Sequence, residues 1–145
     1  VGIRVAPNRG PWTLALLAAV GLAAGCSAAP SALGDSTAEV KINGEAAGGP
    51  YPVTCSQNGW AWTVQTQQQD TGFTAVFDTE PEMTAQSVEI TGLNGFTGSF
   101  WAGTVGKGRA GVANGKFRIS GTAVGSFADN PTDTVDAEFS IEARC

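Results

Sequence analysis

The chain contains no histidine. That absence removes the histidine-dependent triads and dyads of serine and cysteine hydrolases. With only three cysteines beside it, no closed zinc site is available either, and neither a metal nor another cofactor is expected. Basic residues are scarce, with eight Lys and Arg against thirteen Asp and Glu and a formal net charge of −5. A nucleic-acid partner needs a basic surface and is therefore not expected. No apolar run approaches the ~20 residues of a membrane-spanning helix; the most apolar stretch, 12–24 (WTLALLAAVGLAA), has 13. A helical period is missing after Cys26, so no Gly-rich loop can lead into a helix to cradle a phosphate. Lys41, Lys107 and Lys116 sit in no recognisable Ser-Lys motif. These gaps together predict a protein that is not an enzyme.

What the chain does have begins at its N-terminus. Arg4 and Arg9 precede the apolar run without an acidic residue between them, and Gly25-Cys26 follows it. A positive n-region, a short h-region and a small-residue cut describe a signal peptide. A cysteine directly after the cut describes a bacterial lipoprotein. Ala24, Gly25 and Cys26 fit the lipobox, with Leu22 one place early. Residues 1–25 are predicted to be a cleaved lipoprotein signal peptide, and 26–38 an acylated N-terminus and flexible tether. Residues 39–145 are predicted to be one folded domain. Two or more acyl chains on Cys26 anchor a protein stably without spanning the bilayer. The expected address is the outer face of the cell membrane or a layer further out.

Removing the signal leaves six basic residues against thirteen acidic ones, a net charge of about −7. Attraction to a membrane must then come from the acyl chains rather than from net charge. With Cys26 acylated, Cys55 and Cys145 remain as a pair in an oxidising compartment, where a disulfide is expected and free buried thiols are uncommon.

From Glu39 onward the apolar period is two. Val40 and Ile42 alternate with Lys41 and Asn43; Tyr51, Val53 and Cys55 share a face, as do Phe73, Ala75 and Phe77. Asn43-Gly44, Asn94-Gly95 and Asn114-Gly115 are hairpin-turn signals. The segments 78–82 and 129–133 read as loops. Their acidic residues, Asp78, Glu80 and Glu82 in one and Asp129 and Asp133 with nearby Asp136 in the other, lack calcium-loop spacing and read as solvated. From Val135 to Ala143, apolar residues alternate with Asp136, Glu138, Ser140 and Glu142, the pattern of a half-solvated antiparallel strand. The fold expected is all-β: an antiparallel sandwich or partly closed barrel of about eight or nine short strands with one disulfide. Glycines recurring between Gly92 and Gly125 predict strong sheet curvature and close backbone approach.

The aromatic residues carry the remaining signal. Trp60 and Trp62 share a predicted strand face and are expected in the core, because a small domain needs its largest side chains inside. Trp101 points opposite to Phe100 in a strand. With Phe96 and Phe100 in the core, Trp101 is exposed and becomes the candidate ligand-binding residue, suited to stacking on a sugar or meeting a protein partner.

The order of several segments resembles a known family. "VKINGE", "PVTC" (Pro52 to Cys55), "NGFTGSFW" (Asn94 to Trp101), "FRISGTAVG" (Phe117 to Gly125) and a terminal "FSIEARC" look like the mycobacterial lipoprotein antigen family of the LpqH type. The tryptophan-bearing block resembles its LppE-like members. The likeness covers Glu39 to Cys145. It implies an immunogenic cell-envelope lipoprotein without catalytic activity. Cys26 would be the lipid site, and its acylated N-terminus an agonist of the host Toll-like receptor 2. Cys55 and Cys145 would be the structural pair.

Overall fold

The computed structural model describes residues 36–68 and 70–145; the signal peptide, Cys26 and most of the tether lie outside the described residues. Ten strands and no helix are found among them. They are β1 (Thr37–Ile42), β2 (Glu45–Ala46), β3 (Tyr51–Asn58), β4 (Ala61–Thr66), β5 (Gly72–Asp78), β6 (Thr84–Leu93), β7 (Phe96–Trp101), β8 (Lys107–Ala113), β9 (Lys116–Phe127) and β10 (Asn130–Arg144).

All pairings are antiparallel, in the order β10-β1-β3-β4-β5-β6-β7-β9-β8, and β9 also pairs with β10. The path therefore returns on itself, and eight strands form a closed ring. β2 is an appendage on β1. β8 lies beside β7 along the same edge of β9: β7 pairs with Val124 to Phe127, and β8 with Lys116 to Thr122. Full closure removes most free strand edges.

The ring has two short seams. β1 meets β3 through only Thr37↔Pro52 and Ala38↔Tyr51, and β7 meets β9 through four residue pairs. These seams divide it into two sheets, β3–β7 on one side and β1, β8, β9 and β10 on the other. Between them lies one apolar core, with Val64, Ala75, Phe77, Val88 and Phe96 from the first sheet and Ile119, Ala123, Ala137 and Ile141 from the second all at 0% exposure. Phe117 joins the halves, its ring centroid 5.1 Å from Trp62 and 4.9 Å from Phe77.

The three Asn-Gly signals behave as read. Asn43, Asn94 and Asn114 have φ of 51°, 50° and 53°, each followed by a glycine with positive φ, the geometry of type I′ hairpin turns. The inward glycines of β8 and β9 allow the predicted close approach. A Cβ on Gly108 would lie 2.4 Å from the Phe100 ring, and one on Gly125 2.0 Å from the Thr97 carbonyl oxygen.

Three details differ from the sequence reading. β10 begins at Asn130, so most of 129–133 is strand; Asn130 pairs with Phe127, and the register irregularity before Val135 accommodates Pro131, which cannot donate to a regular ladder. Lys107–Ala113 is a strand that period-two apolar patterning did not reveal, because its inward positions start with Gly108 and Ala110. β1 starts at Thr37, two residues before the expected domain boundary, with Ala38 buried at 1%.

Candidate functional site

Of the sequence-predicted site residues, Cys26 lies outside the described residues. Cys55 and Cys145 are joined in a disulfide with a sequence separation of 90 residues. Cys55 is on β3, and Cys145 follows the last residue of β10. β1 lies between those strands but reaches β3 through two residue pairs only. The disulfide thus clamps the barrel at its weakest seam. Its role is structural.

Trp101 ends β7 and is 46% exposed, while Phe100 is 3% exposed, as the alternation requires. Its cross-strand partner is Ser87, the one buried polar residue of the described chain. The backbone of Trp101 is held by reciprocal bonds with Val105: Trp101 N–H donates to the Val105 carbonyl at 2.8 Å, and Val105 N–H to the Trp101 carbonyl at 3.0 Å.

Trp60 corrects the sequence reading. It is 64% exposed rather than in the core. The β3–β4 connection is a two-residue turn, Gly59-Trp60, between paired Asn58 and Ala61. Gly59 has φ 62° and Trp60 does not have positive φ, as in a type II′ turn. The strand begins one residue later, so Trp62 alone points inward, where it is half-buried against Phe117.

Trp60 and Trp101 lie at the same end of the β4–β7 sheet. The Trp60 carbonyl accepts from Thr79 N–H at 3.0 Å and from Thr79 Oγ1 at 3.2 Å. Neighbouring Asp78 accepts from Gln86 Nε2 at 2.8 Å, and the Gln86 carbonyl accepts from Ala102 N–H at 2.9 Å. Three inter-strand spacings, about 14 Å, separate the strands that carry the two rings. The rim therefore holds two exposed indoles joined by a hydrogen-bonded chain, with the acidic 78–82 segment between them. Sequence reasoning placed Trp101 at the surface and missed the exposure of Trp60; Asn58-Gly59 was the available turn signal.

Charge divides between the two sheets. β3 to β7 contain no lysine or arginine. All six basic residues of the predicted mature chain lie on β1, β8, β9 and β10: Lys41, Lys107, Arg109, Lys116, Arg118 and Arg144. Arg118 pairs with Glu142, and Lys116 Nζ lies 3.9 Å from the same carboxylate. No cluster of three or more potential metal ligands occurs among the described residues.

Comparison with known proteins is consistent with this picture. The family model described as Mycobacterium 19 kDa lipoprotein antigen matches residues 31–145. A protein named as a lipoprotein in Mycobacterium avium subsp. hominissuis is 33% identical over 139 residues, covering 95% of this chain and 96% of that one. LppE of Mycobacterium tuberculosis, also named as a lipoprotein, is 35% identical over 95 residues, 65% of this chain and 68% of its own length. A third, from Mycobacterium indicus pranii, is 33% identical over 121 residues, 83% of this chain and 86% of that one.

Proposed function

The chain belongs to the Mycobacterium 19 kDa lipoprotein antigen family, and from that premise we propose that it is a non-enzymatic, surface-anchored envelope lipoprotein acylated on Cys26. The observation that carries this is the apolar run 12–24 ending in Gly25-Cys26. The disulfide supports it: with Cys55 bonded to Cys145, Cys26 is the third cysteine and is left for lipid. Acyl chains hold the protein at the outer face of the membrane, and the segment before β1 spaces the barrel from it. As a surface antigen, the protein presents an acylated N-terminus that fits a host Toll-like receptor 2. Detergent partitioning tests the anchor: the wild type enters the detergent phase, and Cys26→Ala stays aqueous. A Cys26→Ala protein that remains with membranes contradicts the proposal. Loss of Toll-like receptor 2 reporter activation in the same variant tests the receptor step.

A second reading is favoured by the aromatic rim. Two exposed indoles at one sheet end suit stacking against sugar rings of an envelope glycan, or burial against an envelope lipid or a host protein. It predicts that Trp60→Ala and Trp101→Ala lose glycan-array or pull-down binding while the unfolding midpoint is retained.

A further inference from the structure

The net charge of the domain conceals a cationic concavity. Antiparallel registers place Lys41 beside Ser140, Ser140 beside Ser120, and Ser120 beside Arg109. These four outward residues form one row across β1, β10, β9 and β8, with a cation at each end and two hydroxyls between. The next row holds Lys107, Thr122 and Glu138. Together they line an open concavity of about 700 Å³. The end-to-end Cα span of the first row is about 14 Å, three strand spacings, within which long Lys and Arg side chains can converge over the serines.

The cations here are available. Among the described residues, Lys41, Lys107 and Arg109 form no ion pair, whereas the nearby Glu142 carboxylate is engaged by Arg118 and Lys116. Arg109 Nε donates to Ser120 Oγ at 3.3 Å, which holds the guanidinium over the row. Glu138 is the remaining carboxylate in the lining. It disfavours a bare anion at its own position but accepts hydrogen bonds from hydroxyl groups.

We propose that this concavity binds the phosphate ester of a polyol. The phosphoryl group lies over Ser120 and Ser140 between Lys41 and Arg109, where charge-assisted hydrogen bonds are strongest. The polyol hydroxyls face Glu138, Thr122 and Lys107. The same chemistry is offered by a soluble sugar or glycerol phosphate and by a phospholipid headgroup. The site does not depend on acylation of Cys26, and the test uses Cys26→Ser protein so that acyl chains cannot mediate binding.

The probe is glycerol 1-phosphate, titrated by NMR against glycerol and inorganic phosphate. Saturable shifts confined to β1, β8, β9 and β10 are expected, with weaker binding of both controls. Removing Lys41 or Arg109 as alanine should weaken binding about fivefold each, the same size as the contribution of one Lys or Arg to attraction toward an anionic lipid surface, while the unfolding midpoint is unchanged. Sedimentation with phosphatidylglycerol and phosphatidylcholine vesicles assigns the source: retention by the first alone identifies a headgroup, and binding of the soluble ester without vesicle retention identifies a free ester. Equal affinity for glycerol, equal affinity for inorganic phosphate, or an unaltered titration in the Lys41→Ala/Lys107→Ala/Arg109→Ala protein would overturn the proposal.

Discussion

The two sheets of the barrel share one core and differ in the cations and aromatic side chains they show to solvent. The β3–β7 sheet carries no basic residue and ends in a rim with two exposed tryptophans. The sheet formed by β1, β8, β9 and β10 carries every cation of the predicted mature chain. A whole-chain net charge averages these away. The lesson is that a predicted mature chain with net charge of about −7 can still offer a cationic surface, because strand alternation and sheet order sort side chains by face. One small barrel can thereby present two chemically distinct surfaces without any conformational change.

The largest effect should come from unclamping the halves. Cys145→Ser removes a cross-link over 90 residues, and chain-entropy reasoning assigns such a bond about 4–5 kcal/mol. Chemical denaturation should show a loss of that order, with no further loss on adding reductant. A variant as stable as wild type would mean that the two seams hold the sheets together unaided.

Next comes the second seam. Gly125→Val places a side chain against the Thr97 carbonyl, 2.0 Å from the position of its Cβ. Overpacking against backbone that cannot yield should cost at least ~3 kcal/mol, the upper end of ordinary core overpacking. Hydrogen exchange should then localise the loosening to β7 and β9. Uniform protection would contradict the division into two sheets.

Smaller effects separate surface from core. Trp101→Ala, on a half-exposed residue, should change stability by no more than ~1 kcal/mol, near the typical size for a point substitution. Trp62→Ala, half-buried against Phe117 at 5.1 Å, should cost clearly more. Trp60→Ala, on the more exposed turn residue, should cost as little as Trp101→Ala; a loss as large as that of Trp62→Ala would restore the sequence reading of Trp60 and Trp62 as one buried pair. Smallest of all, Arg118→Ala should lower stability by about 0.2–1 kcal/mol and less at high salt, since its pairing with Glu142 is solvent-accessible and surface ion pairs are weak and screened.

Legibility in the sequence followed local physics. The Asn-Gly turns were readable because only a few residues tolerate the positive φ that type I′ turns demand. The β10 face was readable because Ala137, Phe139, Ile141 and Ala143 alternate with charge, and all four are buried at 3% or less. β8 was not readable, because its packing uses Gly108 beneath the Phe100 ring and leaves no apolar stripe. Trp60 was misplaced because it belongs to the two-residue turn before β4, where the inward-outward alternation of the strand no longer governs a side chain. Charge segregation was half visible: no lysine or arginine occurs between Lys41 and Lys107. Its meaning required sheet order, which places β1 beside β10 and β8 beside β9, residues distant in sequence. The candidate ligand residue Trp101 was legible for the same local reason as β10, and its companion Trp60 was not.

The proposed function rests on Cys26, and mass spectrometry of the protein purified from a mycobacterial host tests it most directly. The predicted result is a mature N-terminus beginning at Cys26 and carrying a diacylglycerol mass with at least one further acyl chain, together with a peptide linking Cys55 to Cys145. An unmodified Cys26, or an N-terminus cut elsewhere, would contradict the assignment of this chain as an acyl-anchored envelope protein.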